Sequence, residues 1–514
     1  MPTANLVTRT AEQVKAQLRE VVCALFDEAW DELAAASSTR AIELSCWQLV
    51  AEIGRHAMAT LLAWRCALAS QRQCEELGLD AGKVTFRADY RGRLTTTFGV
   101  VLFPLFAFRV AKGQPTLVPG RDEVMPLSGK CRSSDLCVEW CALVATLHPF
   151  RKAESLLTYF THGAVTLEDT TIERYALRVG NMITQEWCYL RRENLVQVLR
   201  ERATCDALTG RAILYASCDA HALRRYAGSS WQADWKMVNG IRLWCVDRVD
   251  GSPIHVGGQF TSGDAKQVGK VVQALFDSDY LPPDGRFDDT LAVTYVVIVD
   301  GMPWIKDHVC SRFRDAVQIL DAYHVMEKLS AYSKTRFACS YDAKEWYQRA
   351  LFCLFGRLPR SKPKQSWKRR GHRKNRRRPR APEPARFGSQ RPSLAKLRDH
   401  IGPASNGPTK ELLSYLANNE HRLDFASYRE RGLQIGSGPM EAFHRTGSQD
   451  RMKRPGARWT VEALEALLRL RMLELSGRWT EWWSQPHGFA ANTNHFRNVT
   501  YTTKRRCPQI LGIR

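Results

Sequence analysis

The sequence predicts an α/β protein: a mixed core with a long helical insertion, preceded by a helical and small-β N-terminal region. Two observations carry that expectation. Between Arg211 and Leu329, short apolar runs suited to strands are interleaved with an amphipathic helix and end repeatedly in aspartate. The chain is also 514 residues long, which calls for two to four folded units and allows a sizeable core.

The elements follow in order. Apolar residues at helical spacing run through residues 10 to 35 and again from Thr39 to about Leu77. From Lys83 the text turns β-rich, with Val84 and Phe86, then Leu94 to Phe98, then Val100 to Val110; Arg91-Gly92 and Gly99 read as turn or bulge points of a small antiparallel sheet. Ser133 to His148 and Arg151 to Phe160 read as two short helices. Thr166-Leu-Glu-Asp169 has the form of a capping box opening a third, to about Val179. Helix, short turn, helix suits a helix-turn-helix on DNA that presents Arg174 and Arg178, and equally an ordinary helical hairpin.

In the core, Ala212 to Cys218 is a short apolar strand ending in Asp219, and Met237 to Val249 with Pro253 to Phe260 forms a hairpin around Asp250-Gly251. Asp264 to Phe276 puts Val268, Val271, Val272, Leu275 and Phe276 on one helix face. Leu291 to Val299 is a near-continuous apolar strand ending in Asp300, and Ala316 to Leu320 leads through Asp321 into a helix. Strand, strand, strand, helix, strand, helix, strand is the order of an RNase H-like core. Helical text resumes at Lys410 to Arg422 and at Thr460 to Leu475. The expected boundaries are an N-terminal helical region 1–80, a small β region 81–130, a helical DNA-binding region 131–205, the core 206–330, a helical insertion 331–425, a C-terminal part of the core 426–485 and a tail 486–514.

Charge narrows the function. Lys and Arg number 75 against 53 Asp and Glu, a net +22 that points to an acidic partner. Residues 361–380 carry 11 Lys or Arg and no acid, half of that excess, with Pro363 and Pro379 inside the run. Lys368, Arg369, Arg370, Arg373, Lys374, Arg376, Arg377 and Arg378 suit a basic arm that neutralises phosphates without reading sequence, or else a solvated linker. The apolar stretch Phe98 to Phe108 is short for a bilayer and contains Gly99 and Pro104, so the expectation is a soluble, cytoplasmic protein with no membrane partner. The 15 cysteines contain no C-x-x-C; Cys131, Cys137 and Cys141 match no familiar zinc spacing, and most read as reduced, buried residues.

Two aspartates ending adjacent core strands would project from one sheet edge, close enough to share a divalent metal: Asp219 and Asp300. A third carboxylate, Glu441, follows Gly436-Ser-Gly-Pro439, where Pro439 suits the first position of a helix and leaves Glu441 in its first turn. Oxygen-only ligands suit two Mg²⁺ or Mn²⁺ ions. Taken singly, each acid also reads as a turn residue or a complement to a helix dipole. After Glu441, His444, Arg445, Arg451, Lys453, Arg454 and Arg458 precede Trp459, a basic stretch suited to phosphates, or a charged solvated loop.

Three stretches in order carry a resemblance: Val297-Ile-Val-Asp300-Gly-Met-Pro-Trp304-Ile, Ile319-Leu-Asp321-Ala-Tyr-His324, and Tyr428-Arg-Glu-Arg-Gly432-Leu-Gln-Ile-Gly436-Ser-Gly438-Pro-Met-Glu441. The chain resembles bacterial insertion-sequence transposases of the ISKra type from Ile213 to about Trp483, and more loosely from Tyr90 to Gly180. The resemblance implies a DDE catalytic core with Asp219, Asp300 and Glu441 as the acids, and Asp321 and His324 as a supporting D-x-x-H pair. It further implies metal-dependent cleavage at transposon ends, strand transfer into target DNA, a homo-oligomer on DNA, and a bacterial, nucleoid-associated location when bound. The sequence departs from the family at Ala220-His221, where relatives often place Gly after the first acid, and in lacking the cysteine pairs of some relatives; Asp247 is the next candidate for the first acid. An RNase H-like nuclease without strand transfer would share these acids, and a transposase-derived DNA-binding protein without catalysis is a further alternative.

Overall fold

The computed structural model describes all residues except 1–2, 5–8, 81–83, 85, 112–113, 115, 125–131, 227–233, 314, 357–391, 405–406 and 486–514. It is mixed α/β and divides into two compact units, Met1–Val179 with Thr480–Arg514, and Gly180–Trp479. The basic arm 361–380, Cys131 and the tail lie outside the described residues.

The first unit opens with β1 (Thr3–Ala4), α1 (Ala11–Ala35) and α2 (Thr39–Glu76). Thr10 and Gln13 form a reciprocal capping box that starts α1, and the Ser38 hydroxyl caps α2. Glu32 accepts a bond from Ser45, and Trp64 donates to the Arg9 carbonyl, so the two helices run antiparallel. β2 (Phe86–Thr96) and β3 (Gly99–Ala107) pair antiparallel, with β1 on the edge. The turn is at Thr97-Phe98, not at Arg91-Gly92, which stay paired inside β2 with Pro104 and Phe103. Gly92 answers to packing: a Cβ there would lie 2.4 Å from the Phe103 ring. Then come α3 (Pro119–Val124), α4 (Asp135–Leu147), α5 (Phe150–Phe160) and α6 (Asp169–Met182). The last helix begins at Asp169, later than a cap at Thr166 would start it. Thr161 to Glu168 separate it from α5, a connection longer than the three or four residues of a helix-turn-helix.

After α7 (Arg192–Glu201), the second unit is built on β4 (Ala212–Arg225), β5 (Asp234–Val246), β6 (Pro253–Thr261), β7 (Val293–Val299) and β8 (Val317–Leu320). Their order across the sheet is β6-β5-β4-β7-β8; β5 runs antiparallel to both β6 and β4, and β7 and β8 run parallel to β4. α8 (Ala265–Asp277) connects β6 to β7, two strands that run in the same direction with β5 and β4 between them. β4 does not end at Asp219. It continues to Arg225 against β5, although Ala220 to Arg225 lacks the apolar text of a buried strand, because β5 supplies a long antiparallel partner.

The helices that follow are α9 (Pro303–Ile305), α10 (Ala322–Arg336), α11 (Ser340–Phe355), α12 (Leu394–Ile401), α13 (Gly407–Asn418), α14 (Phe425–Glu430), α15 (Gly438–His444), α16 (Asp450–Met452), α17 (Val461–Leu475) and α18 (Trp479–Trp483). A buried cluster joins Ile213, Tyr215, Trp244, Val296, Ile298 and Ile319 of the sheet to Val325, Trp346, Leu397, Leu416 and Phe425 of the helices. α15 lies on the same sheet face, since Gly240 pairs with Asp219, Arg242 with Ser217 and Gly258 with Arg242, and these three meet Met440, Pro439 and Phe443. Phe443 stacks on Phe260 at 4.6 Å. No described helix is long and apolar enough to cross a membrane.

Candidate functional site

Strand register brings the aspartates together. In the parallel ladders Ser217 is opposite Ile298 and Val299 is opposite Leu320. Continuing the same register by one or two positions sets Asp219, Asp300 and Asp321 side by side, on strands spaced about 4.8 Å apart. Alternation along each strand puts them on the face of Ile213 and Tyr215, of Val296 and Ile298, and of Ile319. Asp300 and Asp321 therefore follow the carboxyl ends of β7 and β8, and Asp219 stands level with them inside β4, which runs on to Arg225.

Each acid is held locally. Asp219 accepts from the Ala220 amide at 2.7 Å, and Asp300 from the Met302 amide at 2.8 Å. Gly301 between them has φ +89°, a conformation that favours glycine, and Pro303 opens α9 directly after. Burial raises the proton affinity of the Asp300 carboxyl; the Met302 amide and His324 oppose this, while Asp219 and Asp321 add to it. Asp321, fully buried, caps α10 by accepting from the Tyr323 amide at 2.8 Å and takes a hydrogen bond from the Ser437 hydroxyl. His324 stands one turn into α10, with Nδ1 3.5 Å from Glu327.

The third motif is a strut that docks α15 onto this edge. Tyr428 donates to the Gln318 carbonyl, and Arg431 pairs with buried Asp206 at 2.7 Å. Trp244 donates to the Gln434 side chain, and Ala322 donates to the Ile435 carbonyl. Gly436 is needed where a Cβ would sit 2.8 Å from the Tyr323 ring. Ser437 reaches Asp321, and at the far end of α15 His444 Nε2 lies 3.7 Å from Asp219. Ser437, Glu441 and His444 are spaced i, i+4, i+7, one face of a helix. Glu441 thus sits between a residue that touches Asp321 and one that touches Asp219; its own side chain is exposed and makes no hydrogen bond or ion pair among the described residues.

His444 and His221 meet at 2.5 Å through their Nδ1 atoms, and His221 Nε2 bonds Ser448 at 3.0 Å. Burial pushes both imidazoles down, His221 to about 3 with His444 and Lys453 adding, while Asp219 pulls His444 back up. Neither histidine is therefore a counter-charge near neutral pH, and no described Lys or Arg pairs with Asp219 or Asp300. Two carboxylates side by side without a cation fit a divalent ion bound through oxygen. No group of three or more His, Cys, Asp or Glu side chains converges around a single metal position among the described residues, so the fit rests on the aspartate pair, with Glu441 carried on the neighbouring helix face.

The other expected residues are distributed unevenly. Arg445, Lys453, Arg454 and Arg458 are exposed beyond α15, whereas His444 and Arg451 are buried, Arg451 lying 4.9 Å over the Trp459 ring. On α6, Arg174 is exposed and Arg178 half-buried. Asp247 is engaged with Arg202 at 2.5 Å and accepts from the Val249 amide, which removes it from the acidic edge. Sequence reasoning passed over Ser437, His221 and Ser448; only Ser437, inside the Gly436–Glu441 stretch, carried a signal. No family model matches the chain, and no curated protein matches it.

Proposed function

We propose that the chain is a DDE transposase with an RNase H-like core and a long helical insertion between its second aspartate and Glu441, acting on transposon ends and target DNA as a homo-oligomer. The observation that carries the reading is that Asp219 and Asp300 each lie two residues beyond Ser217 and Ile298, the last paired positions of adjacent parallel strands, in a sheet ordered third-second-first-fourth-fifth, close enough for Asp219 to raise the proton affinity of Asp300. Asp219, Asp300 and Glu441 would hold Mg²⁺ or Mn²⁺, and two such ions would activate a water or a DNA 3′-hydroxyl and stabilise the leaving oxygen. The chain's own residues orient those ligands: Met302 and Ala220 amides fix one oxygen of each aspartate, Ser437 and Tyr323 lock Asp321 behind them, and the buried His444 ring stands with Nε2 3.7 Å from Asp219. Arg445, Lys453, Arg454 and Arg458 offer cations to the phosphates that flank the reacting bond.

The test is strand joining with purified full-length protein, DNA carrying the element's ends, and Mg²⁺. Wild type should cleave and join, and Asp300→Asn should do neither while keeping its circular dichroism and DNA binding. Cleavage without joining by the wild type would select the nuclease alternative, and joining by Asp300→Asn would sink the assignment.

A further inference from the structure

Helix α1 buries one side against α2 and leaves another apolar side in water. Only Val14 is fully buried along its 25 residues, while Val22, Phe26 and Trp30 are 37%, 45% and 55% exposed. Spacing of four places these three on one slowly turning ridge, and the Phe26 and Trp30 rings touch at a centroid distance of 5.6 Å. Sharing Val22 with the ridge and reaching toward the start of α1, an apolar groove of about 400 Å³ lies between α1 and α2, floored by Val14, Leu18, Leu61 and Trp64, with Lys15, Arg19 and Cys23 also along its wall. A ridge of aromatic knobs and an apolar groove therefore share one helix, a turn or two apart.

Charge along α1 says what covers them. Its first part, with the two residues before it, carries Arg9, Lys15 and Arg19 against Glu12; from position 20 onward it carries Glu20, Asp27, Glu28, Asp31 and Glu32 and no base. The acidic half repels DNA and anionic membrane surfaces. A parallel neighbour of the same kind would stack acid on acid. An antiparallel neighbour puts the basic half of each helix over the acidic half of the other, and with Cys23 at the centre it sets Arg19 opposite Asp27 and the aromatic ridge over the groove.

We infer that α1 is a self-association helix: two copies of this chain pair through antiparallel α1 helices, each inserting Phe26 and Trp30 into the α1–α2 groove of the other. The arrangement is two-fold and self-complementary, so it closes at a dimer. A helix of 25 residues is about 37 Å long, which gives the pair length for two ridge-and-groove contacts. The inference stands independently of the reaction assigned to the acidic edge.

Sedimentation velocity on the full chain, without DNA, should give a dimer for the wild type and a monomer for Phe26→Glu/Trp30→Glu. Asp27→Arg should weaken the dimer at least tenfold at low salt, and Arg19→Asp/Asp27→Arg should restore it. In a background with Cys46, Cys131, Cys205, Cys339 and Cys507 replaced by serine, a short bis-maleimide should link two chains through Cys23, and Cys23→Ser should abolish that product. The crosslink needs no core substitution, so it decides the matter even if the double glutamate variant misfolds. A monomeric wild type, an undiminished dimer in the double variant, failed rescue by the charge swap, or a crosslink that survives Cys23→Ser would each overturn the inference.

Discussion

In Arg431→Met the carboxylate of Asp206, which has no exposed surface, loses both guanidinium hydrogen bonds, at 3.1 and 2.7 Å. The methionine keeps the stem of the arginine, so the perturbation is mainly electrostatic. What is left around Asp206 is the Leu208 amide and the hydroxyls of Thr209 and Thr294, at 3.0, 3.0 and 3.3 Å, none of which carries charge. Two hydrogen bonds to a charged group are worth about 1.5–3 kcal/mol each, and removing one partner of a buried pair costs about 3–5 kcal/mol. We expect a loss in that second range at pH 7, read from urea unfolding by circular dichroism.

The pH dependence sharpens the same prediction. Burial alone would raise the Asp206 carboxyl, but Arg431, the Leu208 amide and Thr209 together hold it down to about 2. A depressed carboxylate contributes stability that is complete above its unfolded value near 3.9 and is lost as pH falls through its folded value, here from about pH 4 to about pH 2. In the variant, burial without the guanidinium leaves the carboxyl raised, and its penalty disappears on protonation. The gap between wild type and Arg431→Met should therefore close as pH falls from 7 to 3. A gap below about 1 kcal/mol at pH 7, or one that stays constant over that range, would refute the role assigned to the pair.

Other changes test other parts of the molecule. Glu441→Gln should abolish joining as Asp300→Asn does, whereas Asp247→Asn, whose partner is Arg202, should leave joining intact and cost stability; joining measured beside urea unfolding separates the two. Gly180→Ala should destabilise by about 1–3 kcal/mol, because the new Cβ would lie 2.1 Å from the backbone oxygen of Ala466, and thermal unfolding reads it. Deleting residues 361–380 should weaken binding to every duplex and flatten the dependence of affinity on salt, measured by fluorescence anisotropy across a salt series; an unchanged slope would remove the arm from the interface.

What the sequence disclosed depended on how local the determinant was. The hairpin around Asp250-Gly251, helix α8 and strand β7 were legible because turn chemistry and apolar periodicity act within ten residues. Glu441 in the first turn of α15 was legible because Pro439 marks a helix start. The juxtaposition of Asp219 and Asp300 was expected from apolar strands ending in aspartate, but the register that sets it, and that brings Asp321 beside them, was not legible, since register between strands is a tertiary quantity. Nor was the continuation of β4 past Asp219, which depends on β5, or the role of Gly92, which depends on the Phe103 ring across the ladder. His444 and Arg451 read as surface cations by composition, and the packing of α15 and Trp459 buries them. The Asp206–Arg431 pair joins residues 225 positions apart and leaves no local trace.

The Ser437–Asp321 hydrogen bond closes a separation of 116 residues. During synthesis at roughly 5–20 residues per second, the sheet strands through β8 emerge several seconds before the residue that ties them to α15. Closing so long an excursion carries an entropy cost that the β4–β5 hairpin does not face. A nascent or prematurely terminated chain that stops short of Gly438 has its aspartates but lacks the helix that carries Glu441. Assembly of the edge is thereby coupled to synthesis past α15.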